Sequence, residues 1–263
     1  MGAAAFDVFA PGSASLLVLF GTRVSGLVLV APVFSARPIP PMVKSALVVL
    51  LSVLMVPVAR SQSAATPLLT PAAVLGEAMV GLALGLGAAL LIGAAESAGE
   101  LLSIQIGLSG SAIVDPLSAQ QSTALGQMVK LFALVLVLTV DGHLVMLDAL
   151  ATSARRLPVG SAMELADGAL GLASLGGSLF SLGLQFASPV IAIVLIANVA
   201  LAVLSRAAPQ LQILQLAFPI QILVGLGTLV ATFPFIAAWF VEWQGRYDAV
   251  LTRAIGALAA GVR

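Results

Sequence analysis

The sequence predicts an all-α integral membrane protein, and three observations carry this prediction. Hydrophobic residues make up 60% of the 263 residues, charged residues make up only 8%, and the mean hydropathy is +1.16. These values lie far outside the ranges of soluble domains. The apolar residues also occur in long segments, and a chain of this length can supply about six membrane-crossing helices of roughly 20 residues each.

The expected helical segments follow one another along the whole chain. Arg23 interrupts the first segment, and Pro38, Pro40 and Pro41 after it are expected to exclude helix. The second segment is short for a membrane span and ends near Pro57. The amino terminus lacks the basic region of a cleaved secretory signal, so the first segment is expected to stay in the mature chain. In chain order, the expected segments are residues 13–34, 45–59, 72–95, 123–140, 168–205 and 207–241.

The last two segments contain no charged residue, yet each is too long for one straight span. At about 1.5 Å per residue, either would exceed a hydrocarbon layer of roughly 30 Å. Both are expected to bend, tilt or divide, with Pro189, Pro209, Pro219 and Pro234 as candidate sites. Residues 141–167, before them, are expected to form a polar interval.

Charge and motif content argue against several functional classes. Lysine plus arginine equals aspartate plus glutamate at 11 each, and no basic cluster suggests nucleic acid. The absence of cysteine excludes disulfides and thiolate metal sites. His143, the only histidine, lies near Asp141 at a segment end, a position more typical of a solvated or capping residue than of a proton relay. No catalytic, cofactor or metal motif is found, so the sequence predicts that the protein is not an enzyme.

Arg23, Glu77 and Lys130 are charged residues embedded in apolar segments. Exposure of such a side chain to lipid would cost several kcal/mol, so something must cover it. One interpretation is that the three lie near span ends and extend to the membrane interface. The other is that they pair with each other or with neighbouring subunits and thereby contribute to assembly.

A stripe of polar and small residues precedes the middle of the chain. Glu96, Glu100, Ser103 and Gly107 are spaced at i, i+4, i+7 and i+11, which places them on one face of a helix. Such a stripe faces water, the polar groups of a partner, or a channel.

The loop after this stripe, residues 107–122, is rich in glycine and small residues and carries only one charge. Irregular backbone at membrane depth is tolerated only where protein or a water-filled cavity surrounds it. A loop with an apolar tip is suited to filling a pore when closed and moving aside when open; the alternative is an ordinary surface connection. The candidate pore residues are Gly107, Leu108, Ser109, Gly110, Ser111, Ala112, Ile113, Val114, Asp115 and Pro116.

The carboxyl-terminal residues, 243–263, differ from the rest of the chain because their apolar residues recur at helical spacing beside charged ones. This pattern predicts an amphipathic helix. Such a helix could lie on the membrane surface or dock on a partner, and the sequence does not distinguish the two.

Several motifs carry a resemblance that covers residues 16 to 240. They are FGTRVSGLVLVAPVFSARPIPPMVKSAL, GEAMVGLALGLG, AGELLSIQIGLSGSAIVDP, DGHLVMLDAL and IANVALAVLSRAAPQLQILQLAFPIQILVGL. Their order and coverage resemble the FliR/SctT family of type III export-apparatus membrane proteins, and the last motif resembles its flagellar branch.

The resemblance implies an all-helical export-gate subunit of bent helical hairpins, with FliP-like and FliQ-like halves in a single domain over residues 1–263. It implies a hetero-oligomer with FliP and FliQ, in contact with FlhB, in the bacterial inner membrane at the flagellar basal body. By similarity, the loop from Gly107 is the pore plug, and unfolded flagellar export substrates pass once it moves. No cofactor is implied.

Two alternatives from other classes remain open. A secondary transporter for a small solute would use broken helices around a midplane site, and the glycine and proline interruptions permit this. A purely structural subunit that places its partners without lining the conduit is equally compatible with the embedded charges.

Overall fold

The computed structural model describes residues 12–36, 38–62, 67–107, 123–160, 184–185, 187–203, 206 and 213–260. All regular secondary structure in these ranges is helical, which confirms the predicted all-α class. The helices are α1 (Ser13–Val30), α2 (Pro32–Ser35), α3 (Pro41–Gln62), α4 (Pro71–Ile106), α5 (Ala124–Thr139), α6 (Gly142–Arg156), α7 (Ala187–Val203), α8 (Ile213–Val241) and α9 (Trp243–Ala260).

Prolines define several helix boundaries near the amino terminus. Pro32 opens the short α2 directly after the last residues of α1, and α3 begins at Pro41. The expectation that Pro41 excludes helix is therefore wrong, because a proline at the first helical position loses no internal hydrogen bond. The expectation of a short second segment is also wrong, since α3 continues past Pro57 to Gln62.

Helix α4 joins the predicted span 72–95 and the polar stripe into one element of 36 residues. Before it, the Thr70 hydroxyl accepts a hydrogen bond from the Ala73 amide at 3.1 Å, as an N-terminal cap does. At about 1.5 Å per residue α4 is roughly 54 Å long, longer than the hydrocarbon layer.

Helix α6 lies in the interval 141–167 that the sequence predicts to be polar, and it carries Arg155 and Arg156 in its last turn. Its low average hydrophobicity hides one buried face, formed by Met146, Ala149, Leu150, Ser153 and Ala154. The helix starts after Asp141, which adopts a positive φ of 55°.

Four of the described helices are long and apolar enough to cross a membrane: Ser13–Val30, Pro41–Ser61, Pro71–Ile106 and Pro219–Val241. Helices α5 and α6 supply a fifth candidate if the two are taken as one broken span. The sequence predicts about six spans, and part of its expected segment 168–205 lies outside the described residues.

The chain forms two compact units, each with its own packing. The first contains α1, α2, α3, α4 up to Leu90, α6 and α9, and the second contains α4 from Leu91, α5, α7 and α8.

In the first unit, α1 and α4 cross at glycines. A Cβ atom at Gly26 would lie 2.8 Å from the main chain of Gly81, and one at Gly85 would lie 2.8 Å from Val30. The Gly81–Gly85 pair of α4 therefore serves close packing within this chain.

In the second unit, α4, α5, α7 and α8 share an apolar core. Its buried members are Ala98, Leu102, Ile106, Leu125, Ala187, Val190, Val194 and Leu229. Helices α4 and α5 approach closely at glycines, since a Cβ atom at Gly99 would lie 2.8 Å from the Cα of Gly126.

Candidate functional site

A buried ion pair lies in the first unit. The Arg23 Nε donates to Glu77 Oε2 at 2.6 Å, and the two side chains are 1% and 3% exposed. The two other guanidinium nitrogens donate to Ser153 Oγ and to the Leu157 carbonyl, each at 3.1 Å. The guanidinium therefore has acceptors in three directions, which is what a buried arginine requires.

Glu77 is held from its other side as well. The main-chain amide of Gly160 donates to Glu77 Oε1 at 2.9 Å, and Gly160 adopts a φ of 85°, a conformation that glycine reaches without strain. The pair therefore joins α1, α4, α6 and the turn after α6. The sequence suggested that Arg23 and Glu77 could pair with each other, and the structure brings them together. Ser153, Leu157 and Gly160 carried no sequence signal for this role.

Lys130, the third embedded charge, lies in the second unit and has a different environment. Its Nζ contacts Glu96 Oε2 at 2.8 Å, with side chains that are 45% and 23% exposed. This pair links α5 to α4 but remains accessible, in contrast to the pair of Arg23 and Glu77.

The polar stripe of α4 faces α5 along part of its length. Glu96 pairs with Lys130. Glu100 lies close to Gly126, since a Cβ atom at Gly126 would lie 2.8 Å from Glu100 Cγ. Ser103 is buried, at 1% exposure. At least part of this stripe therefore contacts another helix of the same chain.

The candidate pore loop begins where α4 ends. Gly107 adopts a φ of 84°, and its amide donates to the Ile104 carbonyl at 3.1 Å. After the loop, the Thr123 hydroxyl accepts from the Gly126 amide at 3.1 Å and caps α5. Leu108, Ser109, Gly110, Ser111, Ala112, Ile113, Val114, Asp115 and Pro116 lie outside the described residues.

Within the described ranges, no three histidine, cysteine, aspartate or glutamate residues gather as a metal site would require.

Comparison with known proteins shows which family this chain resembles. Residues 14–245 match the family model described as bacterial export proteins, family 1. The chain is 36% identical over 217 residues to the flagellar biosynthetic protein FliR of Pectobacterium carotovorum, covering 81% of this chain and 82% of that protein. It is 33% identical to FliR of Escherichia coli, covering 82% and 83%, and 28% identical to FliR of Caulobacter vibrioides, covering 95% and 97%.

These matches confirm the resemblance drawn from the sequence motifs. With the apolar helices, they identify a membrane protein that is a subunit of the flagellar export apparatus. The family is one of export-apparatus components and not of enzymes, which confirms the prediction that the chain is not an enzyme. The chain belongs to the bacterial export proteins, family 1, the family of the flagellar biosynthetic protein FliR.

Proposed function

We propose that this chain assembles with FliP and FliQ subunits, in contact with FlhB, into the channel that passes unfolded flagellar subunits. The channel lies in the bacterial inner membrane at the flagellar basal body. Residues 1–263 act as one functional domain of this hetero-oligomer, and the loop from Gly107 to Pro116 closes the channel between export events.

The observation that carries the plug proposal is the anchoring of both loop ends in one core. Ile106, just before the loop, and Leu125, just after it, are buried in the same apolar cluster of the second unit. The close approach of Gly99 to Gly126 and the pair of Glu96 and Lys130 further fix α4 against α5.

Because both ends of the loop are held by the packed helices, the loop can change conformation while its ends stay in position. Gly107 already adopts a left-handed conformation at the end of α4, and the loop sequence has a second glycine at Gly110 before the restraint at Pro116. Its small and apolar residues can fill space, and Asp115 is its only charged residue.

The exposed apolar surface is compatible with a hetero-oligomer. Only 22% of the candidate span in α3 and 17% of that in α8 is buried within the chain. Large side chains such as Met42, Leu50, Leu223 and Phe235 are exposed, so lipid or other subunits must cover them.

The embedded charges contribute to assembly in two ways under this proposal. Arg23 and Glu77 are satisfied within the chain, so they act by fixing the shape that the first unit presents. Lys130 and Glu96 remain accessible, so they are available to the polar groups of a neighbouring subunit.

Crosslinking of a stalled export substrate tests the proposal. Because the chain has no cysteine, Ser111→Cys introduces the only thiol. Gly227→Cys is the matched control, since a Cβ atom at Gly227 meets nothing within 4 Å. A substrate stalled in the complex should crosslink to the cysteine at position 111 and not to the control.

Two outcomes would contradict the plug. Absence of a crosslink at position 111 would favour a structural subunit outside the conduit, and equal crosslinking at both positions would show that the reaction does not report a passage. Saturable binding of a small solute by the purified chain would favour the transporter alternative.

A further inference from the structure

The carboxyl-terminal helix completes a unit that begins at the other end of the chain. The first unit combines α1 to α3 and the first part of α4 with α6 and finally α9, while the chain between α6 and α9 contributes mainly to the second unit. Helix α9 therefore packs on helices that lie much earlier in the sequence.

A notch at Gly87 of α4 receives α9. A Cβ atom at Gly87 would lie 3.3 Å from Tyr247 Cε2 and 3.4 Å from both Leu251 Cδ2 and Val250 Cγ1. Three side chains of one α9 turn thus contact the place where α4 has no side chain. A larger residue at this position would collide with them.

Tyr247 anchors α9 beside this notch. The residue is fully buried, and its hydroxyl donates to the Leu84 carbonyl of α4 at 2.9 Å. A buried tyrosine combines a large apolar contact with one directional bond. Burial, and to a smaller extent the nearby Asp248 carboxylate, raises the pKa of the Tyr247 phenol, so the hydroxyl keeps the proton that it donates.

Helix α6 provides a second contact for α9. Arg156 Nη1 lies 3.4 Å from Thr252 Oγ1, and Leu251 is 4% exposed. The sequence left two sites open for the terminal helix, the membrane surface and a partner. The structure shows a third site, which belongs to the chain itself.

We infer that α9 is an intramolecular strap that closes the first unit, so that the chain becomes competent to assemble only after Tyr247 has docked beside Gly87. Until then the α4 surface around Leu84 and Gly87 is uncovered, although the preceding helices have been made. The strap thereby couples the docking of α9 on α4 to the entry of the chain into a complex. This inference goes beyond the proposed channel role and does not depend on the plug.

An engineered disulfide tests whether the strap docks as described. Val250 Cγ1 occupies about the place of a cysteine Sγ and lies 3.4 Å from the Cβ position at Gly87, which is compatible with disulfide geometry. The full chain carrying Gly87→Cys and Val250→Cys should therefore form an intramolecular crosslink on mild oxidation in native membranes.

The control pair is Gly87→Cys with Gly245→Cys. Gly245 also lies on α9, but a Cβ atom there meets nothing within 4 Å, so this pair should not crosslink. Absence of the crosslink in the first pair, or equal crosslinking in both, would overturn the strap.

A second experiment tests the coupling to assembly. Gly87→Leu fills the notch while replacing glycine by a stronger helix former, so α4 itself is not weakened. We expect recovery of the chain in the purified membrane complex to fall roughly tenfold, as collision in a packed site is strongly destabilising. Gly245→Leu, the same substitution at an exposed α9 position where a Cβ atom meets nothing within 4 Å, should leave recovery unchanged.

Truncation after Glu242 removes the strap itself and should lower recovery in the same way. Tyr247→Phe keeps the ring in place and should retain most of it. Normal recovery of the complex with either Gly87→Leu or the truncated chain would overturn the coupling. A missing crosslink between the loop and an export substrate would not overturn the coupling. Failure of the strap and failure of the plug are therefore distinguishable.

Discussion

Removal of one member of the buried pair Arg23–Glu77 should strongly destabilise the chain. Arg23→Met keeps much of the apolar volume but leaves the Glu77 carboxylate, 3% exposed, without its counter-ion. Breaking a buried pair in this way costs about 3–5 kcal/mol. Glu77→Leu should cost as much, because the guanidinium then loses its only charged acceptor among the described residues.

The double variant distinguishes a coupled pair from two independent residues. With both charges gone, no buried ion remains, and the cost is that of the Leu157 carbonyl and the Gly160 amide losing their partners. An unsatisfied buried polar group costs about 1–3 kcal/mol. We therefore expect the double variant to lose much less stability than the sum of the losses of the two single variants.

Thermal unfolding of the detergent-solubilised complex measures these differences. For a chain of this size, the single variants should lower the midpoint by roughly 10 °C. Lys130→Met is the matched control, because its pair with Glu96 is partly exposed and should contribute no more than about 1 kcal/mol. Additive losses in the double variant, or an equal loss in the control, would show that Arg23 and Glu77 do not act as a coupled buried pair.

Three further predictions concern the loop and the helix crossings. Deletion of residues 109–112 should raise ion leakage through the membrane while permitting some secretion, and unchanged conductance would count against a plug. Gly81→Ala should lower stability by about 1–3 kcal/mol, because the new Cβ atom would overlap the Arg23 carbonyl; Gly227→Ala, in open space, should show no loss in the same melting assay. Thr123→Ala removes the cap of α5 and should lower the free energy of unfolding by about 1 kcal/mol. A melting midpoint equal to that of the parent would contradict this prediction.

The membrane class and most helix positions followed from composition and from apolar segment length. These signals are local, so they need no knowledge of packing. Helix α6 was not predicted, because its charged and polar residues lower the average hydrophobicity of the segment. Its buried face consists of residues spaced three to four positions apart and does not form a continuous apolar run. The continuation of α3 past Pro57 was also not predicted. Proline disfavours an internal helix position but does not exclude it.

The candidate site could be predicted only in part, because local sequence signals do not show which distant helices pack together. Arg23 and Glu77 were recognisable as charges that needed a partner, but their bonds to Ser153, Leu157 and Gly160 depend on how distant helices pack. The docking of Tyr247 on Leu84 joins residues that lie 163 positions apart. Helical periodicity showed that the terminal helix has an apolar face but not which surface would cover it.

Imaging of the intact membrane complex is the sharpest test of the pore plug. We expect the loop from Gly107 to Pro116 to project into a central passage formed with the neighbouring subunits. A loop found on the periphery of the particle, away from any passage, would contradict the account.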